Sequence, residues 1–356
     1  MANLAEQIRR HLIWLLLAAY AVAAVAPTPG VAIAQLNLTE GLGLAGRATP
    51  PLILVAVLFL LAAMAVEHHE LRVLLLRPWV WVLGLACVWI GPAVAVAIAG
   101  RLMPGLLDGA ALGLMLGMAL VAAMPVANSS VAWTQQAGGS LPWSLGLVVL
   151  SILFTPFVTP PLLRLSGMSL AGEEAAFVEQ IIRSFSGAPF VVWVLLPTGA
   201  GLLARRVMGA GAVAEIAPAR HLASAVILLV LNYANGSVAL PKFFEEPSVS
   251  VLFAATAAAL GLALMGVALA TALAVVFRLS HPTGDALRFA LSMKHTGLAF
   301  ALATTAGLAD HPTAMLLIVV ATPTQHLVAA LVDRLASSRV AAVLESSDEP
   351  NGETDL

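Results

Sequence analysis

Long apolar runs separated by short polar segments fill almost the whole chain. Windows of about 20 residues, the length that crosses a bilayer as an α-helix, are nearly free of charge at ten places. These ten predicted spans are residues 12–34, 49–66, 78–99, 109–136, 141–163, 187–204, 221–240, 251–277, 286–308 and 312–332. Arg9 and Arg10 precede the first run, as in a signal peptide, but further apolar runs follow it, so we interpret it as a retained helix. The pattern predicts an all-α polytopic membrane protein with ten transmembrane helices.

Composition agrees with this pattern and excludes a water-soluble domain. Apolar residues make up 60% of the 356 residues and charged residues only 10%, whereas about 25% of an ordinary globular protein is charged. The net charge of -2 offers no basic surface for nucleic acid. The single cysteine, Cys87, lies in an apolar run, so neither a disulfide framework nor a thiolate metal site is expected.

Basic residues predict the orientation of the ten spans. With both termini cytoplasmic, the cytoplasmic segments and span ends carry about twice as many basic residues as the external ones, as the positive-inside rule requires. The cytoplasmic set is Arg9, Arg10, Arg72, Arg77, Arg205, Arg206, Arg220, Arg278, Arg288, Arg334 and Arg339, and the external set is Arg47, Arg101, Arg164, Arg183 and Lys242. Because the loops are short and the spans rich in alanine, we expect a multi-pass protein of a bacterial inner membrane.

Two segments differ from the spans. Residues 169–186 alternate charged and apolar side chains at helical spacing, which predicts an amphipathic interfacial helix between two five-span halves. Residues 341–356 are acidic and polar without an apolar period, which predicts a disordered tail. The expected organisation is therefore a first repeat at 1–168, the interfacial helix, a second repeat at 187–340, and the tail.

Span four is interrupted by a proline. Pro125 removes a backbone donor and clashes with the preceding turn, so the helix must kink or break there. Freed backbone groups at membrane depth are tolerated only where they line a cavity or are buried in protein. The N–H groups and the positive dipole end of the second half-helix favour an anion. The polar side chains at its start are Asn128, Ser129, Ser130, Thr134 and Gln135. A merely kinked helix is the alternative.

Span nine carries a lysine. Lys294 lies about one third of the way into an otherwise apolar span, where a charge costs on the order of 2.5 to 3.5 kcal/mol on insertion scales. Such a residue is a functional candidate, although a structural pairing is the alternative. Each five-span half thus has one interrupted, polar span in its fourth position, and the odd number of spans per half inverts the second repeat. This arrangement is typical of inverted-repeat secondary transporters with a site at the midplane.

Further polar residues are expected on the opposite wall of this site. His295 and Thr296 follow the lysine, and span ten contains the proline-broken cluster Thr322-Pro323-Thr324-Gln325-His326. The alternative for span ten is a kinked helix with Gln325 bonded to a neighbour, and His295 is balanced between ligand and packing residue. Hydroxyls that bond a local carbonyl or join helices are expected in span five, at Ser144, Ser151 and Thr155.

At these residues the sequence resembles the bile acid:sodium symporter family, within the bile/arsenite/riboflavin transporter superfamily. The family's span-four stretch Pro-Gly-Gly-Thr-Ala-Ser-Asn, followed by apolar residues and Ala-(Gly/Lys)-Gly, is similar to residues 125–131 and 137–139. Its span-nine stretch Met-Gln-Asn-Ser-Gly-Leu-Ala is similar to residues 293–299. The resemblance implies two inverted five-helix repeats in which the discontinuous helices four and nine cross.

The sodium ligands that the resemblance implies are mostly missing. In the family, two sodium ions are held by a Ser and an Asn of span four, a Ser and a Thr of span five, and a Glu and a Gln of span nine. Two of these ligands are retained, at Ser130 and Ser144, and the other four positions are Val131, Val148, Ala290 and Lys294. Because sodium needs several oxygen ligands to replace its water, we expect a divergent member with degraded sodium sites and no cofactor. Sodium binding stays open as the alternative, although most of its ligands are missing.

The predicted function is secondary active transport of a small organic anion by alternating access. We expect coupling through Lys294, Ser130 and Ser144, with the lysine in place of a bound cation, so that transport is proton-coupled or uniport and not strictly a sodium symport. The residues expected to bind the substrate are Asn128, Ser129, Ser130, Thr134, Gln135, His295, Thr296, Gln325 and His326. The alternative is a non-transporting or channel-like protein that keeps the fold.

An enzyme is not expected. The Glu-His-His-Glu cluster at 67–70 lacks the spacing that puts two histidines on one helix face, and neither HExxH nor GxSxG occurs in the chain. The expected partners are the organic anion and the lipid bilayer, without nucleic acid. A homodimer stays open as the oligomeric state.

Overall fold

The computed structural model describes residues 7–8, 11–39, 48–66, 78–102, 110–167, 173–245, 247–308 and 311–347. Within these residues the protein is all-helical, and β-type pairing is confined to one bridge between residues 126 and 294. The predictions that lie outside the described residues concern Arg9, Arg10, Arg47, Arg72, Arg77, the cluster at 67–70 and residues 348–356.

The helices follow one another through short connections. We label them α1 (Leu12–Val25), α2 (Thr28–Gln35), α3 (Pro50–Ala63), α4 (Pro78–Leu102), α5 (Ala111–Ala123), α6 (Ser129–Gln136), α7 (Leu141–Gly167), α8 (Glu173–Ser186), α9 (Val191–Glu215), α10 (Ala217–Glu245), α11 (Val249–Val276), α12 (His281–Ser292), α13 (Thr296–Thr305) and α14 (Pro312–Ser347). Several begin with proline, including α3, α4 and α14, because the missing N–H would be unsatisfied in the first turn in any case.

Six of the described helices are long and apolar enough to cross a bilayer, namely α4, α7, α9, α10, α11 and α14. Helices α1 and α2 make a seventh span if they are counted together, but they are bent by 99°. The prediction of one continuous first span is therefore wrong, because α1 ends at Val25 and Pro27 stands at the bend. The shorter apolar helices α3, α5 and α13 lie within predicted spans two, four and nine. The protein is thus a multi-pass membrane protein.

The predicted interruptions of spans four and nine are confirmed. Helix α5 ends at Ala123 and α6 begins only at Ser129. Helix α12 ends at Ser292 and α13 begins at Thr296. The backbone is extended at each break, with ψ of 151° at Met124 and 119° at Met293. Proline accounts for the first break, whereas the second contains Lys294 instead.

The described helices pack as two groups. Helices α1, α2, α3, α9 and α10 pack against one another and form group A. Helices α4 to α7 and α11 to α14, which include both broken spans, pack against one another and form group B. Group A meets group B chiefly where α1 and α10 pack on α14, and where α3 and α10 pack on α13. The start of the second half of span nine therefore faces group A.

Helix α8 covers residues 173–186 of the predicted amphipathic helix, and residues 169–172 lie outside the described residues. Its apolar residues Val178, Ile181 and Ile182 are buried in the protein core beside α7. Its apolar face therefore contacts protein. Helix α14 continues to Ser347. Residues 341–347, which were assigned to the predicted tail, are thus described as part of this helix.

A glycine on α11 lets this helix approach the end of α12. A Cβ added at Gly266 would lie 2.1 Å from the carbonyl oxygen of Leu291, and the neighbour is backbone that cannot swing away. On the same helix, a Cβ at Gly261 would meet nothing within 4 Å. Close approach of α11 thus supports the last turn before the break at Lys294.

Gly266→Ala is expected to destabilise the protein by about 1 to 3 kcal/mol, because overpacking must displace backbone. Thermal unfolding of the detergent-solubilised protein measures this. Gly261→Ala is the matched control and should unfold at the wild-type temperature or slightly above it, because alanine favours a helix. Equal unfolding temperatures for the two variants would contradict the close approach.

Candidate functional site

The two broken spans are joined at their breaks. Val126 and Lys294 form an antiparallel bridge. The N–H of Ala127 donates to the carbonyl of Met293 at 3.0 Å, and the N–H of His295 donates to the carbonyl of Pro125 at 3.0 Å. Unsatisfied backbone groups cost several kcal/mol each in a bilayer, so each break supplies partners for the other. The breaks of predicted spans four and nine are therefore hydrogen-bonded to each other, and we call their meeting point the crossing.

Side chains from neighbouring helices satisfy other backbone groups at the first break. The carbonyl of Ala123 accepts from Thr159 Oγ1 at 2.7 Å and lies 3.2 Å from Trp89 Nε1. The N–H of Val126 donates to Ser151 Oγ at 3.0 Å. Thr155 Oγ1 donates to the carbonyl of Ser151 at 2.6 Å. The structural interpretation is thus confirmed for Ser151 and Thr155, but not for Ser144, whose buried hydroxyl has no hydrogen-bond partner among the described residues.

The Lys294 amine lies inside the crossing. The side chain is only 4% exposed, and its Nζ donates to the carbonyls of Val88 on α4 and of Met124, the latter at 3.1 Å. Both carbonyls lack a normal helical donor. Pro92, four residues after Val88, has no N–H, and Met124 follows the end of α5. Within the described residues Lys294 makes no ion pair, and the hydrogen-bond partners of its amine are these two backbone carbonyls.

These carbonyl oxygens suit a monovalent cation. Backbone carbonyls replace the water of such ions in selective sites, and the carboxyl end of α5 carries a partial negative charge that favours a positive group. The backbone N–H of Lys294 donates in turn to Gln325 Oε1 of α14 at 2.9 Å. Hydrogen bonds therefore hold both the side-chain amine and the backbone of Lys294 in place.

The polar residues of α6 do not all face the same way. Asn128 precedes the helix, is half-buried and donates through Nδ2 to the carbonyl of Leu58 on α3 at 3.4 Å. Its Oδ1 is buried without a hydrogen-bond partner. Ser129 is half-buried, and buried Thr134 donates within the helix to the carbonyl of Ser130 at 2.8 Å. Gln135 is exposed and does not join the others.

His295 caps the start of α13. Its Nδ1 accepts from the N–H of Leu298 at 3.1 Å, and its ring packs on Phe59 of α3 with centroids 4.7 Å apart. Because Nδ1 is an acceptor, a neutral ring carries its hydrogen on Nε2, where it remains a donor. Leu58 and Phe59 are consecutive, so one turn of α3 contacts the starts of both half-helices. The structure therefore brings Asn128 and His295 to one place.

The span-ten residues mainly connect helices. Thr322 Oγ1 donates to Thr296 Oγ1 at 2.8 Å, which ties α14 to the start of α13. Gln325 accepts from Lys294, as the structural alternative for this cluster predicted. His326 is 1% exposed, and its Nδ1 accepts from Trp133 Nε1 of α6 at 3.0 Å. These contacts hold both broken spans against α14.

The positions at which the resemblance implies sodium ligands carry few side-chain oxygens. Ser130 and Ser144 are fully buried, and their hydroxyls have no hydrogen-bond partner among the described residues. The other positions contribute buried Val148, Ala290 and Lys294 and half-buried Val131, none of which has a side-chain oxygen. In the part of the chain that the structure describes, no group of three His, Cys, Asp or Glu residues could hold a metal ion. The side chains at the six positions therefore supply two oxygens, both of them hydroxyls.

Sequence reasoning missed a polar group between α1, α10 and α14. The hydroxyl of Tyr20 lies within hydrogen-bond distance of Asn232 Oδ1 and of the carbonyl of Val319. Asn235, one turn further along α10, is 5% exposed, and its Oδ1 has no hydrogen-bond partner among the described residues. The amide side chains of α10 were the signal that could have found this group, because polar side chains inside an apolar span are costly and mark functional positions.

Comparison with known proteins gives one family. Residues 51–242, more than half of the chain, match the model described as the Sodium Bile acid symporter family. The match runs from α3 into α10 and includes the broken span of Pro125, but it ends before Lys294. The comparison with curated proteins gave no match.

Proposed function

Because the chain belongs to the sodium bile acid symporter family, whose members are transporters and not enzymes, we propose that it is a secondary active transporter of a small organic anion. The observation that carries this proposal is the hydrogen-bonded crossing at Val126 and Lys294, which brings the amino ends of two half-helices together inside a membrane protein. Irregular backbone at membrane depth is typical of transporter sites.

The proposed architecture is ten transmembrane helices in two inverted five-helix repeats, with both termini cytoplasmic. The support is that each predicted span corresponds to a helix or a broken pair, and that the breaks occur in the fourth position of each half. Groups A and B would then move relative to each other, so that a site between them opens to one side of the membrane at a time. Group B holds both breaks and would act as the rigid part.

The proposed anion site lies where α6, α13 and α3 meet. The positive dipole ends of α6 and α13 favour an anion where the two helices begin, and His295 Nε2 adds a donor. Thr296 and Ser129 stand at the first positions of the two helices. Gln135 is exposed and is no longer included in this site. Gln325 and His326 would support the site through Lys294 and Trp133 and need not touch the anion.

Lys294 is proposed to replace the coupling cation. Its amine donates to backbone oxygens of the kind that suit a monovalent cation, and most of the positions at which the resemblance implies sodium ligands carry no side-chain oxygen. A charge that is covalently attached cannot be released to the other side of the membrane. The transporter would therefore work as a uniporter, or it would couple to protons if the amine gives up and regains its proton.

Uptake into proteoliposomes tests this function. Labelled bile acids, keto acids, pantoate-like acids and steroid sulfates are offered with sodium and proton gradients set independently. We expect saturable counterflow of at least one anion and uptake that persists without sodium. A strict sodium requirement would contradict the role of Lys294, and conductance without saturable counterflow would favour the channel-like alternative.

A further inference from the structure

A proline on α14 leaves a carbonyl group at the boundary between groups A and B. Pro323 has no N–H, so the carbonyl of Val319, four residues earlier, lacks its helical donor. The Tyr20 hydroxyl of α1 lies 3.2 Å from this oxygen. Val319 and Tyr20 are both buried. A residue of group A thus supplies the hydrogen bond that the proline of group B removes.

The same hydroxyl has a second acceptor within its own group. Asn232 Oδ1 of α10 lies 2.5 Å from it, closer than the carbonyl of Val319. The Asn232 amide nitrogen donates to the carbonyl of Leu228 at 2.7 Å, which orients Oδ1 toward the tyrosine. A phenol has one hydrogen to donate. Asn232 and Val319 therefore compete for it, one acceptor on each side of the boundary.

The tyrosine ring is anchored to group A. A Cβ added at Gly236 of α10 would lie 2.8 Å from Tyr20 Cδ1, so the glycine allows close contact between the ring and α10. Movement of group A against group B would therefore carry Tyr20 with α10. Its bond to Asn232 would survive that movement, and its contact with Val319 would not.

The proline segment of α14 also touches the proposed site. Thr322, next to Pro323, donates to Thr296 at the start of α13, and Gln325 accepts from the backbone of Lys294. Val319 thus lies three residues before Thr322 and six residues before Gln325. The boundary contact and the anion site share one segment of helix.

We propose that Tyr20 is a positioning residue whose hydroxyl holds groups A and B in the arrangement of this structure, by donating across the boundary to the carbonyl that Pro323 leaves free. Asn232 weakens this contact by accepting the same hydrogen. The inference rests on the proposed alternating access, because only then do the two groups change position during function.

Distance measurements between spin labels test the inference on the full-length protein. With Cys87 replaced by serine, labels at Val226 on α10 and Leu331 on α14 report the separation of the two groups, and both positions are exposed. We expect two distance populations in the unsubstituted background. Tyr20→Phe should lower the share of the population that matches this structure by about 2- to 10-fold relative to the other, the range for one lost hydrogen bond. Asn232→Leu should raise that share.

The chain offers a matched control in its other tyrosine. Tyr233 donates to the carbonyl of Ala26 at 2.7 Å, a contact between α10 and the α1–α2 bend inside group A. Tyr233→Phe makes the same chemical change and should leave the ratio of populations unchanged. Two populations whose ratio Tyr20→Phe does not alter, or alters no more than Tyr233→Phe does, would overturn this inference alone. One population throughout would overturn it together with alternating access.

Discussion

Lys294→Gln is expected to reduce uptake at least tenfold in sodium-free buffer and to recover part of it when sodium is added. The substitution removes the positive charge from the carbonyls of Val88 and Met124, and each buried acceptor left without a donor costs about 1 to 3 kcal/mol. Glutamine also brings a side-chain oxygen, so a small cation can be held by three oxygens in the space that the amine occupied. Initial uptake rates in proteoliposomes, over a sodium titration at constant ionic strength, measure the recovery.

Lys294→Met is the control for this prediction. Methionine has a similar length but neither a charge nor an oxygen, so uptake should fall as in the glutamine variant and should not recover with sodium. Lys242→Gln, at the only other lysine of the chain, should keep wild-type uptake. Equal sodium responses of the glutamine and methionine variants would show that the amine does not stand in a cation site.

Ser129→Asp is expected to lower the affinity for the transported anion by about 100-fold or more. Ser129 is the first residue of α6, next to Asn128, where the proposed anion binds. Two like unit charges about 4 Å apart repel by about 4 kcal/mol at an effective dielectric constant of 20. The concentration dependence of counterflow, with the anion that the wild-type protein exchanges, measures the loss.

Stability separates this effect from misfolding. A carboxylate in the first turn of a helix is favourable by about 0.3 to 1 kcal/mol, which offsets part of the cost of placing a charge at half-buried Ser129, so Ser129→Asp should stay folded and weaken binding far more than it lowers stability in thermal unfolding. Ser129→Asn has nearly the same shape without the charge and should bind within a few-fold of wild type. Unchanged affinity in the aspartate variant would mean that the anion binds away from the start of α6.

The breaks in spans four and nine could be predicted because they are costly in any apolar helix. Pro125 removes a donor, and Lys294 brings a charge into a hydrophobic run, so each demands a local solution wherever the helix lies. The fold class could be predicted in the same way, because the long apolar runs with few charges are favourable in lipid as helices. The bend of 99° in the first span was missed although Pro27 stands at it, whereas the close packing of α2 on α10 at Gly30 could not be predicted.

The partners of these residues could not be predicted. The amine of Lys294 bonds a carbonyl 206 positions away on α4. This carbonyl has no helical donor because of Pro92, a proline that can be seen in the sequence of span three. Gln325 and His326 were candidates for the substrate wall, yet their side chains bond Lys294 and Trp133. Propensity and spacing say that a polar group needs a partner, and they do not say which of several distant helices provides it.

The sequence by itself determined that this chain is a helical membrane protein with two interrupted spans, and it pointed to the family that the match over residues 51–242 confirms. Those features depend on the free energy of placing each segment in lipid, and this free energy is set by the residues of the segment itself. Only the tertiary structure decided that the breaks bond each other, that backbone carbonyls accept hydrogen bonds from the amine of Lys294, and that Tyr20 meets the carbonyl freed by Pro323. These contacts join residues far apart in the chain, and they exist only because packing brings helices together at particular depths and rotations.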